Sequence, residues 1–238
     1  MDNILDKLSL YDFFIVLATG AVFNIGLELL GIPLFSTIAL FINIKDHEAI
    51  YNIIFFSVVL VICYLIGSII QESSFSLQGK IFKIQDNAIE TLLIDPNVVK
   101  NEIKRKIYIK EAKKLFLDKK LDFDEKSITR EQCKYFYAHC LYYIQIRGLS
   151  NKTEKLRALH GVANMLSTSF AVLSVIGIII VIFTLFDTGS NSSIIKLMIL
   201  IFSYGMLSIL FWFKMKNTYF YRIRMVMGIY EVAIDQER

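Results

Sequence analysis

The amino-acid sequence predicts an all-α membrane protein: four transmembrane helices, with a cytoplasmic helical domain between the second and third that the C-terminal helix completes. Three observations predict it. Hydrophobic residues make up 55% of the 238-residue chain and the mean hydropathy is +0.53, against about 45–50% apolar content in soluble domains. The apolar residues are gathered into four blocks, at 13–42, 50–70, 166–186 and 194–213. Only 2 prolines and 11 glycines occur, too few for a turn-rich β architecture, so long helices are expected. The implied organisation is an N-terminal segment with helices one and two at 1–72, a helical domain at 73–165, helices three and four at 166–213 and a C-terminal helix at 214–238.

The last three blocks each have the length a helix needs to cross ~30 Å of hydrocarbon at 1.5 Å per residue. The second and third contain no charge, and the fourth carries Lys196 near its outer end, where a long side chain can snorkel. The first block is longer and holds Asn24, Glu28, Gly31 and Pro33. Proline removes a backbone donor and disfavours helix at Ile32, so a break near 31–33 is expected, with either a kinked helix or a span followed by a shallow interfacial piece.

Charge sets the orientation. Residues 73–165 carry 18 Lys+Arg against 11 Asp+Glu, whereas the connections at 43–49 and 187–193 hold one Lys and three acids between them. Lys and Arg accumulate on the cytoplasmic side, which places the middle region and both termini inside; Lys214, Lys216, Arg222 and Arg224 in the tail agree. The acidic-leaning opening has no small-residue cleavage site, so an uncleaved first span is expected rather than a signal peptide. Three cysteines, an odd number, give no disulfide framework and suit a reducing compartment.

Within 73–165, Asp95-Pro96 reads as a helix start, with Val98, Ile103, Ile107, Leu115 and Phe116 lining one face as far as 117. Thr129 with Gln132 reads as a capping box opening a helix over 130–147 that Gly148 ends, and 118–126 is the expected loop. A further helix from about residue 150 runs unbroken into the third span. The fourth span continues into the tail, where Tyr219, Ile223, Val226, Met227 and Tyr230 form an apolar face. Two such projecting helices can act as levers between the domain and the membrane.

Asn24 and Glu28 are four apart and share a helix face. Polar groups at membrane depth usually face a protein interior or a water path, so these two are pore candidates; the competing reading places Glu28 at the outer interface because the span ends before Pro33. The basic residues Lys104, Arg105, Lys110, Lys113, Lys114, Arg147 and Arg157 are candidates for an anionic ligand, although such runs are more often solvated helix faces. The aromatic-rich stretch 135–143 fits helix packing better than base stacking, with Phe136, Cys140, Tyr143 and Ile144 on one face. Cys133, His139, Cys140 and His160 match no Cys/His ligand spacing, no nucleophile, phosphate-loop or metallopeptidase motif is present, and neither an enzyme nor a cofactor is expected.

Two stretches carry a resemblance. The opening 8–31, with Tyr11-Asp12-Phe13 followed by Gly20, and the segment 135–173, where an aromatic-rich helix, the Gly148–Lys152 turn and a basic amphipathic helix lead into the third span, resemble bacterial anti-phage defence membrane proteins of the Hailong type. Thr19 stands before Gly20 where that family commonly has proline. The resemblance implies a homo-oligomeric channel, a tetramer favoured, in the bacterial inner membrane. It implies that DNA oligomers or nucleotides made by a partner nucleotidyltransferase hold the channel closed and that infection releases it. Asn24 and Glu28 would then line the pore, and the basic residues would contact the oligonucleotide. The alternative is a non-channel membrane adaptor whose helical domain docks a soluble partner protein.

Overall fold

The computed structural model describes residues 2–41, 48–77, 88–96, 98–99, 101–125, 127–186 and 191–236. They form α1 (Asp2–Leu29), α2 (Leu34–Phe41), α3 (Glu48–Leu77), α4 (Glu102–Asp118), α5 (Arg130–Ile146), α6 (Asn151–Phe186) and α7 (Asn191–Asp235), with no strand among them. Among the described residues, four helices are long and apolar enough to cross a bilayer, over Asp12–Leu29, Asn52–Leu77, Asn151–Phe186 and Ile194–Asp235. The chain is thus an all-α, multi-pass membrane protein. Residues 43–47 and 187–190 of the short connections, together with Lys100 and Lys126, lie outside the described residues.

Two compact units emerge: Met1–Leu77 with Gly161–Met215, and Gln78–His160 with Lys216–Arg238. Helices α6 and α7 each contribute to both.

In the first unit, α1 meets α3 through glycine. A Cβ added to Gly20 would sit 1.7 Å from the Cys63 carbonyl oxygen, and one added to Gly67 would sit 2.0 Å from that of Val16. The two backbones therefore touch, an approach that small residues permit between membrane helices. Leu173 of α6, fully buried, packs onto Gly26. Val16, Phe23, Leu27, Leu30, Ile70 and Tyr204 complete this core. Helices α6 and α7 are clasped by a reciprocal pair: the Ser167 hydroxyl donates to the Ser208 carbonyl at 3.0 Å and the Ser208 hydroxyl to the Ser167 carbonyl at 2.9 Å.

The break after α1 falls where the sequence places it. Gly31 takes φ +87, its N–H donates to the Glu28 carbonyl, and the Ile32 N–H reaches back to Leu27. This Schellman ending satisfies the last carbonyls of α1, and the chain restarts as the short α2 beyond Pro33. The same ending closes α5, where Gly148 has φ +70 and Leu149 bonds to Ile144. It also closes α4, with Lys120 in the left-handed position at φ 55, a conformation that costs a side-chain-bearing residue about 1–2 kcal/mol.

The second unit has its own apolar core. Phe136, Cys140 and Ile144 of α5, Tyr108, Ala112 and Leu115 of α4, and Tyr219, Ile223, Val226, Met227 and Tyr230 of α7 are buried together with Leu92, Leu93, Val98 and Val99. The tail face expected over 219–230 is this core's third wall. Thr129 and Gln132 make the capping box, side chain to backbone in both directions. Two expectations are corrected. The helix does not start at Asp95-Pro96: those residues form a turn, and Asn101 is the cap, accepting from the Ile103 and Lys104 N–H groups. Its buried face is Tyr108, Ala112, Leu115 and Phe116, not the isoleucines, for Ile103 is 72% exposed and Ile107 is 37% exposed. At about 100° per residue, Ile103 and Ile107 project away from the arc those four occupy.

Replacing Gly20 or Gly67 by alanine should force α1 and α3 apart, costing about 1–3 kcal/mol as overpacking does and lowering the unfolding midpoint in detergent. Gly161→Ala, in open space on α6, should instead gain about 0.5–1 kcal/mol from helix propensity. Equal responses at the three glycines would contradict the close approach.

Candidate functional site

Two groups of residues carry polar chemistry, one in each unit. In the first, Asn24 lies one turn beyond Gly20, where the α1–α3 approach is tightest. It is fully buried, and its amide nitrogen donates to the Cys63 sulfur at 3.3 Å. Its side-chain oxygen is buried without a hydrogen-bond partner, a costly state for an amide. Nearby polar demands are met locally: the Thr19 hydroxyl donates to the Ile15 carbonyl at 2.9 Å, and the Tyr204 hydroxyl to the Gly26 carbonyl at 3.1 Å. Glu28 shares the Asn24 face but performs a different task. One of its carboxylate oxygens accepts the Phe35 N–H, so it caps the first turn of α2 and ties that helix back across the Gly31–Pro33 break, where a negative group suits the N-terminal end of a helix. Cys63, Tyr204 and the capping geometry carry no motif. Only the apolar-run position of Cys63, 39 residues from Asn24, could have hinted at a polar pair inside the span.

In the second unit the basic candidates do not form one surface. On α4 the buried arc is flanked by Lys104, while Lys110, Lys113 and Lys114 project from the opposite side, as the ~100° step per residue requires. Lys113 pairs with Glu125 of the following loop at 2.8 Å, and Lys110 and Lys114 are exposed. Arg105 lies toward the core, its Nε buried without a hydrogen-bond partner. Arg147 stacks its guanidinium over the Tyr143 ring at 4.8 Å. Arg157 pairs with Glu154 one turn earlier at 3.9 Å.

Lys104 is placed differently. Its ammonium lies 3.3 Å from Glu231, the same carboxylate oxygen that accepts the Tyr108 hydroxyl at 3.2 Å. Seven residues before Glu231 on α7, Arg224 donates through Nε to the Val98 carbonyl at 3.1 Å. From sequence Arg224 is only a marker of orientation, and Glu231, Tyr108 and Asn101 do not stand out. The signal for Arg224 and Glu231 was their spacing of seven, which puts them on one side of the tail helix beside its apolar face.

Titration in this unit is governed by burial. Desolvation raises the Cys133 thiol and, more strongly, that of Cys140, so both remain protonated at neutral pH and offer no thiolate. Burial, then the Glu231 charge and its hydrogen bond, raise the Tyr108 hydroxyl. Glu90 is lowered, first by its hydrogen bond from Lys134 at 2.7 Å, with Arg130 adding to the effect. His139, packed edge-on to Tyr230 and beside Tyr143, is lowered by desolvation first and by the Lys119 charge second. Among the described residues no three His, Cys, Asp or Glu side chains gather as a metal site would require.

A histidine whose folded pKa lies below the unfolded 6.5 contributes stability that is complete above pH 6.5 and is lost as pH falls through the folded value. Lowered Glu90 acts later, its contribution being lost as pH falls below 4.5. Thermal unfolding of the second unit should therefore shift downward between pH 7 and 5, and His139→Phe should flatten that shift while leaving the separate loss below pH 4.5. An unchanged slope in His139→Phe would contradict the assignment.

Compared with known protein families, with curated proteins and with solved structures, the chain matches none of them.

Proposed function

We propose that this chain is a membrane effector of bacterial anti-phage defence: a ligand-gated homo-oligomeric channel of the inner membrane, its helical unit and both termini cytoplasmic. Opening would depolarise the membrane and stop growth, as in abortive infection. The observation that carries the reading is the construction of α6 and α7. Each is a single unbroken helix, and each supplies residues both to the unit that holds the four spans and to the unit with the water-soluble type of core. A ligand bound to the second unit acts on helices that are themselves part of the spans, which is what gating requires. The resemblance in 8–31 and 135–173 supplies the direction of control: a DNA oligomer or nucleotide made by a partner nucleotidyltransferase keeps the channel closed, and its loss opens it. Among the described residues no catalytic constellation argues for an enzyme.

Asn24 favours a second reading. Its amide is engaged with Cys63 inside the same chain rather than offered to a water path, and Glu28 caps α2. A membrane adaptor, anchored by four spans and docking a soluble partner through its helical unit, uses both residues as packing and capping groups and needs no pore.

Charge replacement separates the two. Glu28→Gln keeps an oxygen for the Phe35 N–H, so it removes the charge while preserving the cap. In liposomes holding the purified protein, the channel reading expects a leak that falls when short DNA oligomers are added, and an altered ion selectivity or rate in Glu28→Gln. A chain that leaks under neither condition, in either form, leaves the adaptor.

A further inference from the structure

Within the second unit, α4 and the tail of α7 enclose a cleft of about 260 Å3 lined by Val99, Asn101, Lys104, Tyr108, Arg224 and Met227. Its composition is divided. Val99 and Met227 are buried and make an apolar floor. Lys104, the Tyr108 hydroxyl and Arg224 supply polar and cationic groups from two separate elements. The helix end itself is not what makes the cleft, because Asn101 already occupies the first N–H groups of α4 at 3.0 and 3.2 Å.

From this geometry we infer that the cleft binds a small soluble organic phosphate, its phosphate held by Lys104 and Arg224 and its organic part laid on Val99, Met227 and the Tyr108 ring. A few convergent polar groups over apolar walls is the usual make-up of a small-molecule site, and the volume lies just below the ~300–1,000 Å3 of drug-sized pockets, which suits a ligand of nucleotide size or smaller. Arginine matches phosphate oxygens as a planar fork, while lysine adds a point charge. Arg224 is oriented for the task by its Nε bond to Val98.

Glu231 is the built-in competitor. Its carboxylate holds Lys104 at 3.3 Å with the lysine side chain 48% exposed, the kind of surface pair that contributes little net stability. A dianionic phosphate displaces it from Lys104, and the carboxylate keeps the Tyr108 hydroxyl as its remaining partner. Because Glu231 and Arg224 both sit on α7, binding exchanges one contact between α4 and α7 for another that passes through the ligand. The inference rests on reading this unit as the ligand sensor, but not on ion conduction.

The test is calorimetric titration of the full chain in detergent with adenosine 5′-monophosphate as probe, and with adenosine as the phosphate-free comparison. Arg224→Gln and Lys104→Gln should weaken binding about tenfold, the effect of one charge-assisted contact. Glu231→Gln should tighten it about three- to tenfold by releasing Lys104, and Lys114→Gln, on the far side of α4, should leave it unchanged. The Glu231 variant keeps the test decisive where an arginine variant unfolds. The cleft is overturned if adenosine binds as well as its phosphate, if Lys114→Gln weakens binding as much as Arg224→Gln, or if Glu231→Gln fails to tighten it. Capture of phosphatidic acid in nanodiscs, with no response to the soluble phosphate, overturns the soluble source. A chain that leaks ions but does not bind the probe refutes the cleft and leaves the channel standing; one that binds but never leaks does the reverse.

Discussion

Everything in the first unit depends on how closely α1 and α3 approach each other. In hydrocarbon the hydrophobic effect does not favour one apolar neighbour over another, because a lipid tail serves as well as a leucine side chain. Helices associate there through contact and through polar groups that find partners. At Gly20 and Gly67 the absence of a side chain lets backbone meet backbone. That approach brings Asn24 within reach of Cys63, and the same face carries Glu28 down to its cap on α2. The serine pair between α6 and α7 applies the same logic with hydroxyls and carbonyls.

The second unit is held by a different force. Its core of aromatic, aliphatic and thiol side chains is drawn from α4, α5, the tail of α7 and the residues Ala88, Leu92, Leu93, Val98 and Val99, as expected of elements that leave water together. Each large side chain buried there contributes about 1.5–3 kcal/mol. One covalent helix, α7, thus takes part in two cores governed by different physics, its residues up to Met215 in one and those from Lys216 in the other. That continuity is what the proposed gating would use to couple the second unit to the spans.

Much of the fold was legible because its signals are local. Span length and charge-free runs mark the membrane helices, Gly31 with Pro33 marks the break, and Thr129 with Gln132 marks the start of α5. The face 219–230 was readable because five apolar residues recur at helical spacing beside a helix that had no reason to stop. The α4 face was not readable in this way. Ile103 and Ile107 carry the stronger hydrophobic signal, yet the helix buries Tyr108 and Ala112, since packing against α5 and α7 outweighs the hydrophobicity of single residues. Asn101 is the less visible cap in the sequence, because Asp95-Pro96 offers the more familiar pattern six residues earlier. The roles of Glu28 and Glu231 are long-range or cross-break contacts, and no spacing rule within one helix contains them.

The channel reading has one structural requirement beyond these contacts. Four spans that pack on one another cannot enclose a wide aqueous path, so a pore of this protein must lie between copies. The most direct test is therefore the mass of the detergent-solubilised or nanodisc-embedded protein, measured by native mass spectrometry. The account predicts a closed symmetric oligomer, a tetramer favoured, that survives dilution. A monomer at every concentration would contradict the channel and leave a membrane-anchored docking unit.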